Sequence, residues 1–189
     1  MPRQVFLYDP PERFVVGTVG EPGARTFFLQ ARAADRVTSV ALEKQQVALL
    51  AEQIDKLLDE VLRVTGGDAP VPAATDDPAD DLAPLEPPID EEFRVGTLAL
   101  GWDPGSERLV IVAQAPGEDD AEVAGPAIDD DDTVDGPDVL RVRLTGEMAR
   151  AFAKRASSVV SAGRPACPFC GLPLDPAGHI CPRSNGYRR

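Results

Sequence analysis

The chain has 189 residues, enough for one compact domain and a small appendage but not for two domains of full size. Its 32 Asp and Glu outnumber 19 Lys and Arg, and the resulting net charge of −13, read as a single surface, argues against a polyanion partner. An apolar content of 43% supports a buried core and excludes wholesale disorder, while three Cys and one His leave few of the familiar catalytic constellations open.

The segment Gln4 to Asp9 reads as a strand of the first half, with Phe6 and Tyr8 on one face and Val5 and Leu7 on the other. A hairpin follows, Phe14 to Val19 and Arg25 to Leu29, joined by the turn-rich Gly20-Glu21-Pro22-Gly23. Val37 to Leu42 forms the next strand, with Val40 and Leu42 on alternate positions. A helix from about Glu43 to Val64 carries Val47, Leu50, Ile54, Leu57, Leu58 and Val61 on one stripe.

A second series repeats this order. Phe93-Arg94-Val95-Gly96-Thr97-Leu98 matches Phe14-Val15-Val16-Gly17-Thr18-Val19 at four of six positions. A turn at Asp103-Pro104-Gly105-Ser106, the strand Arg108 to Val112 and the strand Val139 to Leu144 come next. The last helix runs from about Gly146 to Ser161 behind an N-cap at Thr145, with Met148, Phe152, Ala156, Val159 and Val160 on its apolar face. The expectation is an α+β protein of two duplicated antiparallel sheet-plus-helix units, ββββα over residues 1–64 and βββα over 91–163.

Two acidic stretches interrupt the units. Residues 65–90 hold Asp68, Asp76, Asp77, Asp80, Asp81, Glu86 and Asp90 with six Pro and no basic residue, which predicts a flexible linker. The stretch 117–138 holds ten acidic residues and no basic one, and reads as a solvated loop. The run Asp129 to Asp132 lacks the Gly and the terminal Glu of a calcium-binding loop. Without these stretches the chain has 15 acidic against 19 basic residues, so its body is net +4 and a polyanion partner becomes admissible.

All three Cys and the single His lie close together in the tail, residues 164–189. Cys167-Pro168-Phe169-Cys170-Gly171 has the spacing and the Gly of a zinc knuckle, and His179 and Cys181, two apart, share a face on an extended strand. Cys167, Cys170, His179 and Cys181 thus make a Cys₃His set for Zn²⁺, closed by four protein donors and hence structural. A glutaredoxin-like redox pair needs its second Cys in a helix, which Gly171, Pro173 and Pro176 forbid. A zinc-deaminase site needs a His upstream, and there is none. Arg183, Tyr187, Arg188 and Arg189 could grip phosphate and stack on a base, with a solubilising or docking tail as the alternative.

Both ends resemble one family. The opening from Pro2 to Gly20 and the ending Cys-Pro-Phe-Cys-Gly-Leu-Pro-Leu-Asp-Pro-x-Gly-His-x-Cys-Pro-Arg-x-Asn-Gly-Tyr-Arg-Arg from Cys167 to Arg189 are similar to an actinobacterial family known only as a domain of unknown function. The resemblance implies a bacterial cytoplasmic protein and brings no activity with it.

The N-terminus lacks the apolar core of a secretion signal, and no apolar run reaches 18 residues, so a soluble cytoplasmic protein with no membrane contact is expected. The leading functional reading is a non-enzymatic zinc-binding module or adaptor for a protein or single-stranded nucleic acid; paired sheet-plus-helix units resemble the Whirly single-strand binders at the level of fold. The alternative is an enzyme with a carboxylate and Arg site at Asp9, Glu12 and Arg13, against a plain turn-and-pairing role for the same residues. An assembly subunit that pairs through exposed sheet edges is a third reading. Oligomeric state is not legible at this level.

Overall fold

The structure, a computed structural model, describes residues 3–73, 81–117, 136–163, 167–172, 174 and 181. Eight strands and two helices follow in the order β1 (Val5–Tyr8), β2 (Arg13–Val19), β3 (Thr26–Ala33), β4 (Arg36–Leu42), α1 (Lys44–Val64), β5 (Glu91–Arg94), β6 (Thr97–Asp103), β7 (Arg108–Gln114), β8 (Val139–Leu144) and α2 (Gly146–Ser161). They form an α+β protein with two four-stranded sheets, a first sheet ordered β2-β3-β4-β5 and a second ordered β1-β8-β7-β6.

The sheet orders correct two expectations. β1 does not join the first half; it runs parallel to β8 in the second sheet, with Val5 opposite Val139 and Tyr8 opposite Val142. The second half also has a fourth strand, because Phe93 to Leu98 is two strands and not one. β5 lies parallel to β4, the Val95 N–H donates to the Ala41 carbonyl of the first sheet, and the Gly96 N–H donates to the Gln114 carbonyl of the second. The chain changes sheets between these two residues. Glycine eases the crossing, since a Cβ on Gly96 would sit a tight 3.0 Å from the backbone of Pro116. The two matching six-residue windows therefore occupy different places, one inside β2 and the other across this crossover. Each half is ββββα, and each sheet is three antiparallel strands plus one parallel strand given by the other half.

One main core joins both sheets and both helices. Phe14, Val16, Leu29, Val40 and Leu42 of the first sheet and Leu109, Ile111, Leu140, Val142 and Leu144 of the second turn inward onto Val47, Leu50, Ile54 and Leu58 of α1 and Phe152 and Ala156 of α2. Phe14 and Phe152 stack at 4.7 Å between ring centres, and Phe6 meets Phe93 at 6.4 Å where the exchanged strands approach each other. Tyr8 is buried, and its hydroxyl lies 2.7 Å from Thr38 Oγ1, joining β1 of one sheet to β4 of the other. The helix bounds follow from their caps: a Glu43 and Gln46 capping box opens α1, and Thr145 Oγ1 accepts from the Met148 N–H at α2.

The acidic linker, in its described parts, is a docked strap and not the flexible tether its composition suggests. Leu85 packs with Val15, Phe28 and Ala41 on the outer face of the first sheet, and a Cβ on Gly17 would lie 2.6 Å from Leu85 Cγ. Arg13 grips Asp81 with Nε and Nη2 at 2.6 and 3.0 Å and donates to the carbonyls of Ala83 and Pro84. Arg155 of α2 donates to the carbonyls of Asp81, Ala83 and Val16. Gln30 holds both backbone groups of Glu86. A proline-rich strand cannot pair its N–H groups in a ladder, so side-chain donors have taken the place of one. At the other end Arg150, 4% exposed, bonds the Pro72 carbonyl, Asp55 and Asp59.

Leu85→Ala is expected to lower stability by about 2–3 kcal/mol in urea unfolding, whereas Leu82→Ala, 83% exposed on the same strap, changes it by less than about 0.5 kcal/mol. The hydrogen bonds from Arg13 hold the Asp81 carboxyl below its ordinary value of 3.8, against the opposing effect of burial. A depressed folded value means the contribution is present at neutral pH and is lost as pH falls below about 4. Asp81→Asn should accordingly flatten the acid-side decline of the melting temperature.

Candidate metal centre

The Cys167 carbonyl accepts from the Gly171 N–H at 2.8 Å, closing a tight turn in which Gly171 has φ +75°. The Cys167 N–H donates to the Leu172 carbonyl at 2.7 Å, so the turn is fastened at both ends. Proline at 168 supplies the fixed φ of a turn's second position. This geometry aims the N–H groups of Cys170 and Phe169 at the Cys167 sulfur, and their donation pulls its pKa down to about 6. Burial pushes the Cys170 thiol up. Cys167 and Cys181 are buried and Cys170 is half-buried.

Cys181 comes from beyond the turn and completes a cluster in which all three sulfurs lie within 4.8 Å of one another. Cys167 and Cys181 are separated by 3.8 Å. Four ligands about 2.3 Å from a tetrahedral ion have sulfurs about 3.8 Å apart, so this edge already fits a metal. A disulfide would need about 2.05 Å, and none of the three cysteines is in one. Three convergent sulfurs form a soft donor set of the kind that takes zinc, copper(I) or iron. His179, the expected fourth donor, lies outside the described residues, as do Arg183, Tyr187, Arg188, Arg189 and Asp129 to Asp132.

Two of the three residues considered for a carboxylate-based site, Glu12 and Arg13, sit in one ion-pair network through Arg32 and Glu86, and Asp9 stands apart from it. Arg13 holds Asp81 as above, Glu12 bonds Arg32 at 2.6 Å and the Ala34 N–H at 3.1 Å, and Asp9 faces Arg143 at 3.9 Å. A cleft of about 490 Å³ lies elsewhere and is lined by Arg25, Lys44, Phe27 and Val160 among others. Sequence reasoning missed Arg150 and Arg155, which a helical wheel places beside the apolar stripe. That position was the available signal that they reach inward.

Replacing Gly171 by Ala forces a side chain into the left-handed region at a cost of roughly 1–2 kcal/mol. Competition against a chelator should show a metal affinity reduced about five- to thirty-fold.

The family model described as "Protein of unknown function (DUF3090)" matches residues 6–181. No curated protein and no solved structure matches the chain.

Proposed function

We propose that this chain, which belongs to the DUF3090 family of proteins of unknown function, is a non-enzymatic module whose tail is folded by a structural zinc ion and docks a protein or a single-stranded nucleic acid. The observation that carries the reading is the convergence of the Cys167, Cys170 and Cys181 sulfurs. With His179 as fourth donor the ion has no open position for water, and it acts by fixing the tail. Cysteines that converge without forming a disulfide suit a reducing compartment, such as the cytoplasm. Among the described residues no helix is long and apolar enough to cross a membrane.

Arg183, Tyr187, Arg188 and Arg189 are the residues assigned to the partner, through charge-assisted bonds to phosphate or carboxylate and through stacking. The engagement of Asp9, Glu12 and Arg13 in ion pairs that fasten strands and strap favours this reading over a carboxylate enzyme.

Metal analysis of the gently purified full chain is expected to give about one zinc per molecule, reduced below half by Cys170→Ser or His179→Ala. Less than about half a zinc in the parent protein would overturn the structural-zinc reading. A gel shift with single-stranded DNA or RNA at low salt should show binding that weakens with added salt and with Arg188→Ala and Arg189→Ala together. No salt-sensitive shift would remove nucleic acid from the proposal and leave the protein partner.

A further inference from the structure

A cleft of about 490 Å³ opens where three elements meet: the turn between β2 and β3 at Pro22 and Gly23, the start of α1 at Lys44, and the end of α2 with Gly163 just beyond it. That volume is within the range of small-molecule pockets, roughly 300–1,000 Å³. Phe27, Val159 and Val160 give the cleft an apolar wall. Arg25 and Lys44 give it charge, and among the described residues no carboxylate lines it.

Elsewhere basic side chains are matched with carboxylates, Arg13 with Asp81, Arg143 with Asp103 and Arg150 with Asp55. Among the described residues Arg25 makes one side-chain hydrogen bond, from Nη1 to the Ala162 carbonyl at 2.9 Å, and no ion pair, and Lys44 makes neither. Both cations nevertheless reach the same spot, since a Cβ on Gly163, the residue after Ala162, would lie 3.4 Å from Lys44 Nζ. The end of a helix carries about half a negative charge, and the last turn of α2 has no basic residue of its own to answer it. One cation is enough for that, and two leave a positive excess. Lys44 is also set against its own helix: it is the first residue of α1, whose positive end has no acidic residue in its first turn. The neighbouring Glu43 is held by Arg94 at 3.0 Å. Capping α2 accounts for Arg25 and leaves Lys44 without a task.

We propose that this cleft binds a small phosphate monoester, its phosphate between Arg25 and Lys44 and an apolar body against Phe27, Val159 and Val160. A monoester carries a charge of about −1.5 to −2 at pH 7, with a second pKa near 6 and three acceptor oxygens, so it answers two cations where a carboxylate answers one. Arg25 uses one of five N–H donors on Ala162, which leaves the others for phosphate oxygens, and the Lys44 ammonium adds a point charge. The apolar wall selects an esterified phosphate over the bare ion, which has nothing to lay against it. This site is separate from the arginines of the tail, and it stands whether or not the tail docks a partner.

Calorimetric titration of the full chain with phenyl phosphate, inorganic phosphate and benzoate tests this. Phenyl phosphate is expected to bind about tenfold tighter than either of the others, because it alone presents both the dianion and the body. Its affinity should fall severalfold between pH 7 and pH 5, as the second ionisation of the phosphate is reversed. Lys44→Gln, a change on the exposed surface of α1, should weaken binding about tenfold. Lys56→Gln, which removes a lysine of the same helix already paired with Glu52, should leave it unchanged. No heat from phenyl phosphate up to millimolar concentrations overturns the proposal, and equal affinity for benzoate overturns the choice of phosphate. Binding that is indifferent to Lys44→Gln but lost with Arg188→Ala and Arg189→Ala together puts the phosphate on the tail, and overturns it as well.

Discussion

The exchange of first strands between the two halves is the constraint on which the rest of the molecule depends. A three-stranded antiparallel sheet with one helix leaves an open edge at its last strand, β4 in one half and β8 in the other. Each half closes the other's edge with a short parallel strand. A parallel partner cannot come from a hairpin and needs a long connection, and a second half-chain provides one. Neither half is therefore complete by itself. The buried Tyr8 with Thr38, and Phe6 against Phe93, are where this dependence becomes specific contacts. A cut within residues 74–80 would leave β1 in one fragment and its partner β8 in the other.

The same logic explains why the connection between halves is fastened so elaborately. Arg13, Arg150 and Arg155 each lose most of their hydration and recover it in bonds to backbone carbonyls and carboxylates of residues 55–86. Guanidinium suits this task because its planar fork serves several acceptors at once, which an ammonium does not. The division of charge into acidic linker and basic body is also less clean than simple counting suggests. Asp81 and Glu86 are neutralised by Arg13, Arg32 and Arg155, so part of the basic excess is already committed inside the molecule.

Elements with long local signals were legible in the sequence. Both helices begin and end within a residue of where their apolar period and caps place them, and β8 has the expected bounds. What local pattern cannot supply is the partner. The apolar run Val5 to Tyr8 says that a strand exists, but nothing in four residues states that it pairs with a strand about 134 positions away. The crossover at Val95 and Gly96 was hidden for a related reason. An apolar run broken by one glycine reads as a strand, and only the second sheet shows that the glycine lets the chain cross. The strap misled because two apolar anchors, Leu85 and Ile89, are too few to register as a pattern, and the arginines that hold it lie some 70 residues away in sequence.

The cysteine turn was readable for the opposite reason, since its geometry is set within five residues. Two N–H groups converge on one sulfur because the backbone is folded back at Gly171. Donors to the Cys167 sulfur favour its thiolate, while burial pushes the neighbouring Cys170 thiol up. A cation held among the three sulfurs would favour the thiolate form of its ligands. A metal site is a general means by which a segment too short to bury a core can gain order, which is why the proposed function rests on this turn.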